Sequence, residues 1–117
     1  MEFYQFNRDN GKKVTMFDSN FIISPITKTK DNAQISCMYL ERFGIIGYHQ
    51  ATVPQLLFVV DGEGFVRNEI EEYVKVQAGD AVFWTKGEWH ETKTDNGLTA
   101  IVIESETLNP AQFGFKK

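Results

Sequence analysis

His49 and His90 are the two histidines of the chain, and each follows a glycine-containing turn at or near the start of an extended segment. A neutral imidazole binds transition metals, forms hydrogen bonds and exchanges protons near neutral pH. Gln55 lies six residues after His49. Since side chains alternate along a strand, an unbroken pleat would place both on one face. Pro54 interrupts the pleat because proline removes a donor from the hydrogen-bond ladder, so the sequence leaves open whether they share that face.

Length and composition exclude several classes of protein. At 117 residues the chain, residues 1–117, is sized for a single domain with one hydrophobic core. A net charge of −4, with no lysine or arginine run longer than two residues, argues against nucleic acid and anionic lipid as partners. No segment resembles a signal peptide or a membrane span, and the single cysteine, Cys37, fits a reducing compartment. We therefore predict a soluble, cytoplasmic protein.

The residue mix favours an all-β fold. Valine, isoleucine, threonine and the aromatic residues make up 43 of 117 positions, against five leucines and six alanines, and these residue types suit a pleated sheet. Glycine-containing turns, including predicted turns at 44–47 and 61–64, separate ten short segments that we predict to be strands. These segments are 13–17, 20–27, 34–43, 48–52, 55–60, 64–68, 72–76, 81–84, 89–94 and 98–104. Their spacing predicts a β-sandwich or barrel.

Two of the predicted strands are apolar on both faces. Residues 56–60 and 100–103 contain no polar side chain, so both faces of each strand must be covered. One face fills the barrel, and the other is covered by the N-terminal strands, residues 1–39, or by a second subunit. We favour a homodimer, because all-β chains commonly cover exposed edges in this way. The C-terminal tail carries Phe113 and Phe115, which either dock on the domain or fray.

Two motifs with fixed internal spacing surround the histidines. The first is His49-Gln50-Ala51, three residues, Gln55, six residues and Gly62; the second is Gly79, five residues, Thr85-Lys86-Gly87, two residues, His90, three residues and Thr94. In this order and spacing they resemble the signature motifs of the cupin superfamily. The resemblance covers about residues 40–104 and is to small, single-domain, RmlC-like barrel cupins. It implies a double-stranded β-helix, the cupin jelly-roll barrel, around one pocket.

The resemblance also implies where a metal would bind. Carried over position by position, the ligand positions of the family fall on His49, Ala51, Gln55 and His90. Alanine has no donor atom, so the implied metal ligands are His49, Gln55 and His90, two imidazoles and one amide without negative charge. Such a set suits a divalent transition metal (zinc, nickel, copper, iron or manganese) better than magnesium or calcium. We predict weaker metal binding than in a four-ligand cupin.

The same residues also suit a pocket without metal. His49 and His90 would then hydrogen-bond a small molecule, and Gln55 would orient one imidazole. We predict that Glu88 and Glu91, which flank His90, are solvated. Two functions follow from the resemblance: a metal-dependent enzyme, such as a dioxygenase or isomerase acting on a small organic substrate, or a non-catalytic module that binds or senses a sugar or another metabolite. The sequence assigns no residue a catalytic role.

Overall fold

Nine antiparallel strands form one curled sheet in the computed structural model, which describes residues 1–114 and 116–117. The strands are β1 (Lys12–Val14), β2 (Phe21–Lys28), β3 (Gln34–Leu40), β4 (Ile45–Gln50), β5 (Gln55–Asn68), β6 (Val74–Gln77), β7 (Ala81–Trp84), β8 (Trp89–Lys93) and β9 (Leu98–Glu104), with 3₁₀ turns at Arg8–Asn10, Met16–Asp18 and Pro110–Gln112. Their order is β1-β2-β3-β9-β5-β8-β4, and β6 and β7 also pair with β5. The all-β prediction is confirmed. None of the helices in the described part of the chain is long and apolar enough to cross a membrane.

Strand β5 belongs to both layers of the fold. Its first half pairs with β7 and β9, and its second half pairs with β6 and β8. The register with β9 shifts between Val59 and Asp61, and Gly62 has a φ of 80°. The predicted turn at 61–64 is therefore wrong, since this segment is a bend within one continuous strand. A bulge at Val60 and the positive φ of Gly62 let β5 pass from one layer to the other, where the prediction had the chain reverse.

The hydrophobic core lies between the two layers. Leu57 pairs with Val102 and Val59 pairs with Ala100 across β5 and β9, and these four side chains are at most 2% exposed. The remaining buried core residues are Phe21, Leu40, Ile46, Val66, Val76, Trp84 and Leu98. The apolar runs that predicted doubly covered strands thus supply the centre of the core.

The outer face of the same two strands is apolar but open. Phe58 pairs with Ile101 and Leu56 pairs with Ile103, and Phe58 is 40% exposed. Strands β1 and β2 continue the sheet beyond β3, and Phe3 in the N-terminal segment is 89% exposed. In the C-terminal tail, Phe113 is exposed and Phe115 lies outside the described residues. Within the described chain, only the inner face of β5 and β9 is fully covered.

Homodimerisation stays a prediction, and this outer face is where we expect it. A second copy would cover the apolar rows that the chain leaves open. Size-exclusion chromatography with light scattering should give twice the chain mass of 13.4 kDa. Phe58→Lys should give a monomer because it places a charge inside an apolar contact. Val74→Lys, which changes an exposed apolar residue of β6, should leave the dimer intact. A monomeric wild type would contradict the prediction.

The bend in β5 should depend on Gly62. A Cβ at Gly62 would lie 2.3 Å from the carbonyl oxygen of Gly97, whereas a Cβ at Gly79 would meet nothing within 4 Å. Both glycines have positive φ, so alanine costs about 1–2 kcal/mol at either position. Overlap with the backbone should add about 1–3 kcal/mol for Gly62→Ala alone. Urea denaturation of the two variants measures the difference, and equal destabilisation would contradict this prediction.

Candidate functional site

Two rows of side chains, one in each layer, meet inside the barrel. His49 on β4 pairs directly with His90 on β8. In the other layer, Gln55 on β5 pairs with Trp84 on β7 and with Glu104 on β9. The rows meet where Trp84 stacks on His90, with ring centroids 4.2 Å apart and planes 22° from parallel. His49, Gln55 and His90, the three residues selected from the motifs, therefore line one cavity.

A bulge in β4 turns His49 into this interior. Ile46 pairs with Thr92 and His49 pairs with His90, so β4 spans three residues where β8 spans two. Regular alternation would place Ile46 and His49 on opposite faces, but the additional residue brings both to the cavity wall. The sequence predicted a turn over 44–47, which is wrong after residue 44 because β4 begins at Ile45.

Gly47 permits the backbone contact that closes this side of the site. A Cβ at Gly47 would lie 1.7 Å from the carbonyl oxygen of Phe17. Phe17 stacks on His49 with ring centroids 5.2 Å apart, and its φ of 59° lies in the left-handed region, which costs a residue other than glycine about 1–2 kcal/mol. The close approach of these two segments thus holds an aromatic ring against the first imidazole.

Backbone carbonyl groups orient both imidazoles. Nδ1 of His49 lies 2.6 Å from the carbonyl oxygen of Gly47, and Nδ1 of His90 lies 3.1 Å from that of Glu88. A carbonyl oxygen only accepts hydrogen bonds, so in each neutral ring Nδ1 carries the proton and Nε2 carries the lone pair. His90 is 1% exposed, and its Nε2 has no hydrogen-bond partner among the described residues. Because an unpaired buried acceptor lowers stability, a group bound to this nitrogen would stabilise the protein.

Burial keeps the His90 ring neutral. Desolvation lowers the pKa of His90 from its ordinary 6.5 to about 4, and the neighbouring His49 ring acts in the same direction. The two ring centroids lie 4.4 Å apart. The hydrogen bond to the Glu88 carbonyl opposes the shift only in part. The lone pair of Nε2 is therefore available at neutral pH.

The cavity beside the two rows has a volume of about 330 Å³ and mostly apolar walls. The described residues that line it are Val14, Met16, Phe17, Ser19, Phe21, Ile23, Met38, Ile46, His49, Gln55, Leu57, His90, Thr92 and Glu104. This combination of apolar walls with a few polar groups is typical of sites for small molecules.

Glu104 is a residue of this site that the sequence analysis missed. The amide nitrogen of Gln55 donates a hydrogen bond of 2.6 Å to its carboxylate, which leaves the amide oxygen of Gln55 available as an acceptor for a ligand. A signal for Glu104 did exist in the sequence. Ala100 and Val102 face the core, and alternation along β9 carries the next inward position to Glu104. A charged residue at an inward position of an apolar strand is a candidate for a site.

The remaining motif positions contribute no cavity group. Ala51 is buried, and its backbone pairs with Gly87 and Glu88. Glu88 is half-buried and accepts hydrogen bonds from Thr85. The prediction that Glu91 is solvated is wrong, because it is 7% exposed. It lies on the outer side of β8, where Arg67 pairs with it at 3.0 Å and the hydroxyl of Tyr73 donates to it.

A metal ion held by the predicted ligands would have an open site with few protein ligands. In residues 1–114 and 116–117, no three His, Cys, Asp or Glu side chains gather closely enough to hold a metal ion. The predicted ligands His49, Gln55 and His90 all line the cavity, and they would offer the two Nε2 atoms and the amide oxygen. The unpartnered Nε2 of His90 suits coordination. Because catalytic zinc sites combine three protein ligands with water or substrate in an open position, water or a bound molecule would complete the set.

Comparison with known proteins supports the fold. No protein-family model and no curated protein matches the sequence. Among solved structures, a cupin-like protein from Thermotoga maritima has a TM-score of 0.76 at 20% identity, over 87% of this chain and 80% of that one. An RmlC-like cupin with a double-stranded β-helix fold from Methanocaldococcus jannaschii has a TM-score of 0.70 at 20% identity, over 90% of each chain. A predicted oxalate decarboxylase from Thermotoga maritima has a TM-score of 0.73 at 16% identity, over 87% of this chain and 98% of that one. The chain therefore has the double-stranded β-helix fold of cupins, as its motifs predicted.

Acid should destabilise the protein through His90. The unfolded chain takes up a proton at this imidazole as the pH falls through 6.5, whereas the folded chain does so only near a pKa of about 4. The stabilisation present above pH 6.5 is therefore lost between these values, by up to about 3 kcal/mol. Urea denaturation of metal-free protein should show this loss, and His90→Asn should show less of it. Titrating carboxylates change the stability of wild type and of His90→Asn equally, so the difference between the two proteins reports on His90. Identical pH profiles of stability would contradict the prediction.

Proposed function

We propose that the protein binds a small organic molecule in the barrel cavity, anchored at the imidazoles of His49 and His90. The observation that carries the proposal is that His90 lines a cavity of about 330 Å³ while its buried Nε2 has no hydrogen-bond partner among the described residues. A donor group of a ligand would satisfy this nitrogen, and the apolar walls would bury the rest of the molecule. The buried free thiol of Cys37 is in keeping with a cytoplasmic, reducing environment.

A metal-dependent enzyme is the second candidate function. It is favoured by the Nδ1 hydrogen bonds of both histidines, because metal-binding histidines are commonly oriented through the opposite ring nitrogen. His49, His90 and the amide oxygen of Gln55 would hold zinc, nickel, copper, iron or manganese. Such an ion would supply Lewis-acid or dioxygen chemistry of the kind that dioxygenases and isomerases use. The rings of Phe17 and Trp84 would shield the histidines from water. A protein described as a predicted oxalate decarboxylase shares the fold, which by itself assigns no reaction.

Native mass spectrometry and elemental analysis of untagged protein test the two candidates together. We expect wild type to retain a small molecule and His90→Ala to lose it, because the anchoring nitrogen is gone. Gln50→Ala, which changes an exposed neighbour of His49, should behave like wild type. Stoichiometric transition metal that disappears in His49→Ala and His90→Ala would favour the enzyme. If wild type holds neither a metal nor a molecule that depends on His90, both candidate functions are wrong.

A further inference from the structure

The cavity wall carries negative charge without a compensating cation. Of the described lining residues, Glu104 is the acidic one, and none is lysine or arginine. The Glu104 carboxylate receives its hydrogen bond from the neutral amide of Gln55. The ion pairs found among the described residues involve other carboxylates. The negative charge of Glu104 is thus free to act on whatever occupies the cavity.

The other polar groups of the wall mainly accept hydrogen bonds. Since Nδ1 of each histidine carries the proton, the Nε2 atoms of His49 and His90 present lone pairs. Gln55 offers its amide oxygen, and one of the two hydrogens of its amide nitrogen is donated to Glu104. Ser19 and Thr92 add neutral hydroxyl groups to the lining. An anion in this cavity would meet a carboxylate and several lone pairs with no positive partner, and a buried charge without a partner is strongly disfavoured.

A positively charged ligand, unlike an anion, would find favourable partners in the cavity. Its charge would compensate Glu104, and its N–H groups would find acceptors at the imidazoles. The lining also contains the aromatic rings of Phe17 and Phe21, whose faces attract cations. The wall therefore offers a cation both a counter-charge and an apolar enclosure.

We propose that the pocket selects small organic ammonium ions over carboxylates and phosphates, with Glu104 as the counter-charge and the imidazole Nε2 atoms of His49 and His90 as hydrogen-bond acceptors. This inference rests on the proposed function and names the class of ligand that the cavity takes. Glu104 is a specificity-determining residue in this arrangement. Its carboxylate distinguishes molecules that have the same shape and a different charge.

Three probes of matched shape test the inference: benzylammonium, benzyl alcohol and benzoate. Each is titrated into the metal-free, full-length protein at pH 7.5, and the dissociation constant is measured from NMR chemical shifts of cavity residues. We expect benzylammonium to bind at least about tenfold more tightly than benzoate. The ammonium group would form a hydrogen-bonded charge pair with Glu104, whereas the carboxylate of benzoate would be repelled by it. Benzyl alcohol should fall between them.

Glu104→Gln removes the charge and keeps the shape of the side chain. We expect this variant to bind benzylammonium about tenfold more weakly than wild type does. The affinity for benzyl alcohol should change by less than a factor of about two, because a neutral ligand carries no charge for Glu104 to compensate. Glu106→Gln, which changes an exposed carboxylate paired with Lys86, is the matched control and should leave all three affinities unchanged. The amide spectrum of each variant reports whether the fold is retained.

The outcomes separate this inference from the proposed function. Benzoate binding as tightly as benzylammonium, or a Glu104→Gln variant with unaltered affinities, overturns the inference. If benzyl alcohol still binds in a His90-dependent manner in that case, the proposed function stands without it. If none of the three probes perturbs the cavity residues, the proposed function and the inference fail together.

Discussion

The direct pairing of His49 with His90 across β4 and β8 is the constraint on which the whole site depends. A slip of β4 by one residue relative to β8 would turn the His49 imidazole to the outside of the barrel. The bulge after Ile46 sets that register, and it requires Gly47, whose missing side chain makes room for the Phe17 carbonyl. The position of the first imidazole is therefore determined by a backbone contact between two segments that are distant in sequence.

The neutral state of His90 follows from its neighbours. Stacking on Trp84 buries one face of the ring, and Nδ1 is satisfied by the Glu88 carbonyl. Nε2 is left without a partner within the described residues. In a folded protein, buried polar atoms are nearly always paired, and departures from that rule concentrate at functional sites. The left-handed backbone conformation of Phe17 is a second energetically unfavourable feature of the same site.

Two glutamates near the site, Glu91 and Glu104, differ in role because their surroundings differ. Glu91 is buried on the outer side of β8, where Arg67 and Tyr73 neutralise and hydrogen-bond it. Glu104 lies in the cavity wall beside the uncharged amide of Gln55. The charge of Glu91 is therefore compensated within the chain, and this ion pair stabilises the sheet. The charge of Glu104 is left for a ligand to compensate.

The sequence by itself determined the fold class, because alternating apolar residues and the motif spacing are local patterns that survive in the structure. It also selected His49, Gln55 and His90, which the barrel brings to one cavity; their role as metal ligands stays a prediction. Tertiary structure alone decided that residues 61–64 continue β5, that Glu91 is buried and that the inward-facing Glu104 hydrogen-bonds Gln55. Alternation along a strand is a local property, whereas bulges, register and the faces that meet across a barrel depend on pairing between distant segments.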